Sequence, residues 1–325
     1  MRNECIKATL VRRWLLLSLL SLYLSVSSWK ATRAEESPLE YYSATLPRNS
    51  ISPYERSSRQ RNLYLRKSKS TQASVSFSTL SSPPATQFIA SRPFRLFFCY
   101  IPKNGCTKMK SLFLKLVSSS TAWGGTLDDV HRNFNNEERL RPLLLSEDVQ
   151  RSILSDRKWL RSVILRDPMK RFISAYLDKI AGRTDLSFFG LKGVHFDGTA
   201  DSLYKFLGYN ATWGWEHHFM LQSRLCGFAN SWGWWDHILL YVEDEDMTKS
   251  TAAMFDHRID YLLHEGWGNQ SKMWDGWTRH RTSHSTERQN IIGQICRNKT
   301  IYDALLKYTL PDYDFFGLFR PTLCS

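Results

Sequence analysis

Twice along this chain an apolar, strand-like run passes through a short basic loop into a helical pattern, and that repetition limits the fold more than any other feature. The first instance runs from Phe94–Tyr100 through Ile101-Pro102-Lys103-Asn104-Gly105-Cys106 into a helix predicted over Thr107–Ser118. The second runs from Trp159–Leu165 through Arg166-Asp167 into a helix predicted over Pro168–Ala181. Further along, a strand is predicted over Asp236–Glu243. Helices are predicted over Ser146–Ser155, Leu203–Leu207, Glu216–Leu225, Met247–His264, Thr286–Arg297 and Ile301–Tyr308. Strands alternating with helices predict an α/β domain, a parallel β-sheet flanked by helices. Ligands of such sheets bind beyond the carboxyl ends of the strands, where both basic loops fall.

The start of a helix carries backbone N–H groups without intrahelical partners and a partial positive charge. Gly105 lets the backbone approach a bulky anion there, and Lys103, Lys108 and Lys110 surround the position. This is an anion seat, although a basic surface turn would look similar. The G-x-x-x-x-G-K-[ST] spacing is absent, which disfavours a P-loop kinase or ATPase. In the second segment Arg166 offers a planar fork to an anion. Asp167 reads as a helix cap, and Pro168 suits the first helical turn. Leu165, Phe172, Tyr176 and Ile180 form a core-facing stripe, and Arg171 reads as readily as a solvated charge.

Together the two segments resemble the nucleotide-binding motifs of the sulfotransferases that use 3'-phosphoadenosine 5'-phosphosulfate (PAPS). More narrowly, they resemble the Golgi carbohydrate sulfotransferases of the chondroitin, dermatan and HNK-1 type. The first loop of that family reads roughly I-P-K-x-x-C-T-x-x-K, and the second R-D-P-x-x-R-x-x-S-A-Y. A third match, His218 to Cys226, is similar to the family's H-W-x-P-Q-x-x-L-C, with Phe219 and Leu221 in place of Trp and Pro. The resemblance spans about Phe94 to Phe319. It implies a P-loop-like sulfotransferase fold with PAPS as co-substrate. Pro102, Lys103, Asn104, Gly105, Cys106, Thr107 and Lys108 would hold the phosphosulfate, and Arg166 and Ser174 the 3'-phosphate. Lys103 would be catalytic, and His218 would be the base, with Glu216 and His217 as rivals. The implied reaction moves a sulfuryl group to a hydroxyl of a glycan or proteoglycan. A tyrosine or small-alcohol acceptor, or a glycan-binding protein without activity, are the alternatives. No metal is expected, because lysines and helix termini can carry the charge.

The 325 residues carry a net charge of +13, which favours anionic partners. Part of that charge lies outside the predicted domain. Residues 1–13 read as a cytosolic tail, and 14–29 as a short apolar signal-anchor or a cleaved signal peptide. Residues 30–92 read as a disordered basic stem rich in Ser, Thr and Pro, and 93–325 as the catalytic domain. This order predicts a type II Golgi membrane protein with a lumenal domain, or a secreted one if the segment is cleaved. Such an address argues against a nucleic-acid partner, and the oligomeric state is left open. Three sequons, at Asn210, Asn269 and Asn298, fit a lumenal domain. Cys99 and Cys106, before and within the first loop, are expected to stay reduced. One bridge is expected among Cys226, Cys296 and Cys324. The tryptophans around Trp213–Trp235 and Trp267–Trp277 read mainly as core, with sugar stacking as the alternative. The basic patch Arg279, His280, Arg281 and His284 reads equally as a seat for an acidic acceptor or the nucleotide and as a solvated face, and the acidic run Glu243–Asp246 reads as helix capping.

Overall fold

A computed structural model describes residues 76–77, 87–117, 127–210, 214–241, most of 251–259, 285–318 and 323–324. Its centre is a sheet of four strands in the order β1 (Phe88–Ser91), β2 (Leu96–Cys99), β3 (Leu160–Arg166), β4 (His237–Tyr241). β1 is antiparallel to β2, and β2, β3 and β4 run parallel. The predicted α/β class is the one observed.

Period-two alternation feeds two cores. Phe98, Ile164 and Leu239 pack on one side of the sheet with helix α1 (Cys106–Val117). Phe97, Val163, Leu165 and Ile238 pack on the other with Ile153, Phe228 and Trp235. Every residue of β3 is buried, as expected for a strand covered on both faces. A third core joins α4 (Pro168–Lys179), α5 (Ala200–Leu207), α6 (Ser285–Arg297) and α7 (Lys299–Phe316). The predicted stripe Leu165, Phe172, Tyr176 and Ile180 is buried, and Asp167 caps α4 by accepting the Lys170 N–H at 2.8 Å. Between these elements stand α2 (Leu127–Asn136) and α3 (Glu147–Ser155).

Several expectations change. β1 lies inside the stretch read as stem, so the folded body starts before residue 93. Helix α2 had no counterpart in the sequence reading. Helix α7 continues past Tyr308 and through Pro311. The predicted helix Glu216–Leu225 is a series of turns with one short 3-10 segment, Gln222–Arg224. There Leu221 is extended, and the buried carboxylate of Asp312 accepts the N–H groups of both Gln222 and Ser223 at 2.8 Å. Those amides therefore serve a tertiary contact instead of a helix. Cys99 is not reduced: it bridges Cys226, whose backbone turns left-handed (φ 57°). Cys296 bridges Cys324, and Cys106 is the free thiol among the described cysteines.

Residues 1–75, which hold the predicted tail, anchor and most of the stem, lie outside the described residues, as do Trp213, Asn269, Trp267–Trp277, Arg279–His284, Glu243–Asp246 and most of Met247–His264. Among the described residues no helix is long and apolar enough to cross a membrane.

Candidate active site

β2 and β3 are adjacent and parallel, so their following loops emerge side by side. The first loop is built on two left-handed residues, Lys103 (φ 70°) and Gly105 (φ 80°). Glycine adopts that conformation freely, but a lysine does so only under constraint. Here the constraint is visible. The Asn104 side chain, 2% exposed, donates from Nδ2 to Ile164 O at 2.8 Å and to Gln222 Oε1 at 2.6 Å. The Lys103 carbonyl accepts from Arg166 Nη1 at 2.7 Å. The Pro102 carbonyl accepts from Arg171 Nε at 3.0 Å. The loop opens into α1, whose first turn holds no acidic residue, so an anion at this helix start would meet no competing carboxylate from that turn. Lys108 is buried, and Thr107 and Cys106 are half-buried.

Arg171 is a correction to the reading as a solvated charge. Its guanidinium is 2% exposed and also donates to Met220 O and His217 O, each at 2.8 Å. Burial lowers its pKa to about 10, which leaves it charged at neutral pH. One side chain thus spans the first loop and the segment carrying His217 and His218. Arg166 is buried too, and its guanidinium sits 5.7 Å from the Tyr241 ring centroid. Gln222 completes the frame: its Nε2 donates to Arg166 O at 2.8 Å, and its Oε1 accepts Arg166 N–H at 3.1 Å, as a further strand would. Ser174 is half-buried on α4 and lies four residues before Asp178, hence on the same helix face. Asp178 Oδ2 reaches Lys103 Nζ at 3.3 Å and Lys179 Nζ at 3.0 Å.

Glu216, His217 and His218 meet without a helix. Glu216 is 3% exposed, and its Oε1 lies 2.8 Å from His218 Nδ1 and 3.1 Å from His217 Nδ1. Its Oε2 accepts the His218 N–H at 2.8 Å. An ionised carboxylate only accepts, so His218 Nδ1 carries the proton and its neutral ring keeps its lone pair on Nε2. Burial lowers the His218 pKa below the ordinary 6.5, against the opposing pull of Glu216. Burial takes His217 to about 4. Burial alone would raise the Glu216 carboxyl, but the two histidines hold it below its ordinary value. Potential metal-ligand atoms of these three residues lie within 4.8 Å of one another. Phe219 faces the core, with its ring 5.4 Å from Phe172 and 5.0 Å from Phe206.

One participant was invisible in the sequence. His131, from α2, lies 3.3 Å through Nε2 from Thr107 Oγ1 and 3.3 Å through Nδ1 from Lys110 Nζ. Lys110 also sits over the Tyr100 ring at 4.3 Å and the Phe134 ring at 4.9 Å. A lysine ammonium can only donate, so Nδ1 accepts and the neutral ring carries its proton on Nε2. Nε2–H then donates to Thr107 Oγ1, which directs the Thr107 hydroxyl hydrogen elsewhere. The one sequence clue was the spacing of Leu127, Val130 and Phe134 around it.

A buried two-loop frame at the ends of parallel strands, with an anion seat, a lysine and a carboxylate-held imidazole, can bind a polyanion and move a proton beside it. The Sulfotransferase family profile matches residues 86–319, and the chain belongs to that family. Its class of reaction is sulfuryl transfer. No curated relative and no solved structure matches the chain.

Proposed function

We propose that this protein transfers the sulfuryl group of PAPS to a hydroxyl of an anionic glycan, from the lumenal side of the Golgi membrane. The observation that carries the reading is Arg171: a single guanidinium ties the loop of Lys103 to the segment of His218. Donor loop and base are thereby held in one frame, and preorganisation of this kind is what displacement between two bound substrates demands.

In this reading the α1 amides, Thr107 and the lysines of the first loop hold the 5'-phosphosulfate. Arg166 and Ser174 face the 3'-phosphate, with Arg166 also clamping the Lys103 carbonyl. The acceptor hydroxyl gives its proton to His218 Nε2 as its oxygen bonds to sulfur. The bond from sulfur to the phosphate oxygen breaks in line, and Lys103 neutralises the charge left on that oxygen. Glu216 holds the tautomer and stabilises the imidazolium that forms. The glycan acceptor and the Golgi address are supported by the motif resemblance, the +13 charge and the order of tail, apolar run and stem. The two disulfides fit an oxidising compartment.

The test is transfer of ³⁵S from labelled PAPS to a panel of glycans by the full chain, with Lys103→Ala alongside. Label on a polysaccharide that falls at least ~10²-fold in the variant is the expected result. Donor binding with no label on any glycan would transfer the reading to a non-sugar acceptor.

A further inference from the structure

The described surface exposes few large apolar side chains: Leu143, Leu144, Phe188, Tyr204 and Trp215. Two of them touch. The rings of Phe188, 66% exposed, and Trp215, 51% exposed, meet at 5.5 Å and 61°. Exposed aromatic rings that cluster, instead of scattering singly, mark a binding surface. This pair is also anchored. Phe188 packs on Phe189 at 5.3 Å, and Phe189 on the buried Phe219 at 6.0 Å. Phe188 rides a 3-10 turn, Ser187–Phe189, which Gly190 closes in the left-handed conformation (φ 69°).

Position gives the pair its meaning. Trp215 immediately precedes Glu216, whose carboxylate holds His218. Three residues of chain reach at most about 11 Å, so the backbones of Trp215 and His218 lie no further apart than that. The rings themselves are suited to a sugar. The C–H groups on one face of a pyranose are weakly positive, and the face of an aromatic ring is negative. Lys179, at the end of α4 and paired with Asp178 at 3.0 Å, acts electrostatically on both His217 and His218, so a cation stands near this edge. Positive charge beside an aromatic ledge matches a sugar bearing a carboxylate or a sulfate better than it matches an apolar partner or a second copy of this basic chain.

We infer that Phe188 and Trp215 form a subsite on which an anionic sugar of the acceptor stacks, so that the hydroxyl to be sulfated is presented to His218. The inference rests on the glycan reading above. The subsite acts through binding, since neither ring can take up a proton or a sulfuryl group.

The experiment compares the full chain with Trp215→Ala, Phe188→Ala, the double variant and Trp215→Phe. Desulfated chondroitin, dermatan and heparan are the acceptors. Because both side chains are exposed, the folded state tolerates their truncation, and an unchanged melting temperature verifies this. The expected result is an acceptor KM raised about 10-fold in Trp215→Ala, the scale of one lost stacking contact, and raised further in the double variant. Turnover at saturating acceptor and affinity for the desulfated donor product stay as in the parent, and Trp215→Phe recovers most of the KM. An unchanged acceptor KM in the double variant, with the parent sulfating these glycans, overturns the subsite alone. A parent that binds donor product but sulfates none of the three overturns the glycan reading and the subsite with it.

Discussion

The ammonium of Lys103 lies 3.3 Å from the carboxylate of Asp178, so the lysine of the first loop is held by the helix of the second. Burial lowers the Lys103 pKa, and Asp178 is the main influence opposing that fall. On the proposed mechanism Lys103 works as an ammonium, so activity is lost as pH rises through its pKa. Asp178→Asn removes the opposing influence and lowers that pKa further. The alkaline limb of kcat/KM should then move to lower pH than in the parent. Superimposable alkaline limbs would show that Lys103 does not need its proton.

The acid side of the same profile reports on the base. His218 must be neutral to accept a proton, and its pKa lies below 6.5. Activity should therefore persist at pH 6.5 and fall only as the pH drops through the lowered pKa of His218. His218→Ala should cost roughly 10²–10⁴-fold in kcat. Glu216→Gln keeps an acceptor for Nδ1–H but removes the negative charge, so its acid limb should shift further down in pH. A dead Glu216→Gln beside a fully active His218→Ala would make the carboxylate the base.

For His131 the tautomer argument leads to a measurement on donor affinity. His131→Ala leaves the Thr107 hydroxyl free to turn and should raise the KM for PAPS by roughly 5- to 10-fold, the scale of about one hydrogen bond. The acceptor KM should stay put. His131→Gln can offer both an acceptor to Lys110 and a donor to Thr107, and should recover part of the loss. Equal donor KM in all three proteins would reduce His131 to packing.

Arg171→Lys tests the frame. A lysine carries the charge but cannot present a planar fork to Pro102, Met220 and His217 together. Buried carbonyls left unmatched cost about 1–3 kcal/mol each, so a stability loss of at least ~2 kcal/mol in urea unfolding is expected. A midpoint equal to the parent's would mean that the three contacts are not all made in solution.

The strand–loop–helix units were legible because their signal is local: an apolar run, a turn residue (Gly105 in the first, Pro168 in the second), then helical spacing. What escaped the sequence depends on distant partners. Glu216–Leu225 has helix-like apolar spacing, yet Asp312, 90 residues further on, takes the amides of Gln222 and Ser223. Arg171 looks like any charged helix residue until three carbonyls from elsewhere surround it. β1 has only four residues and follows a long polar stretch. In α2 the apolar Leu127, Val130 and Phe134 are diluted by Asp and Asn, which hid His131 with them. Cys99 was assigned by its nearness to the loop, whereas its partner Cys226 lies 127 positions away.

That bridge also acts on the chain before it folds. Cys99 ends the strand that leads into the first loop, and Cys226 follows the segment bearing His218 and Gln222. Without the bridge the two halves of the site are joined covalently only through a long length of chain, whose closure is entropically costly, and hydrogen bonds such as Asn104–Gln222 must hold them together. Oxidation removes that freedom from the unfolded chain, so the bridge favours the arrangement in which the two halves meet. A chain made in a reducing cell interior would lack that restraint, and the same chain passed through an oxidising lumen would carry it.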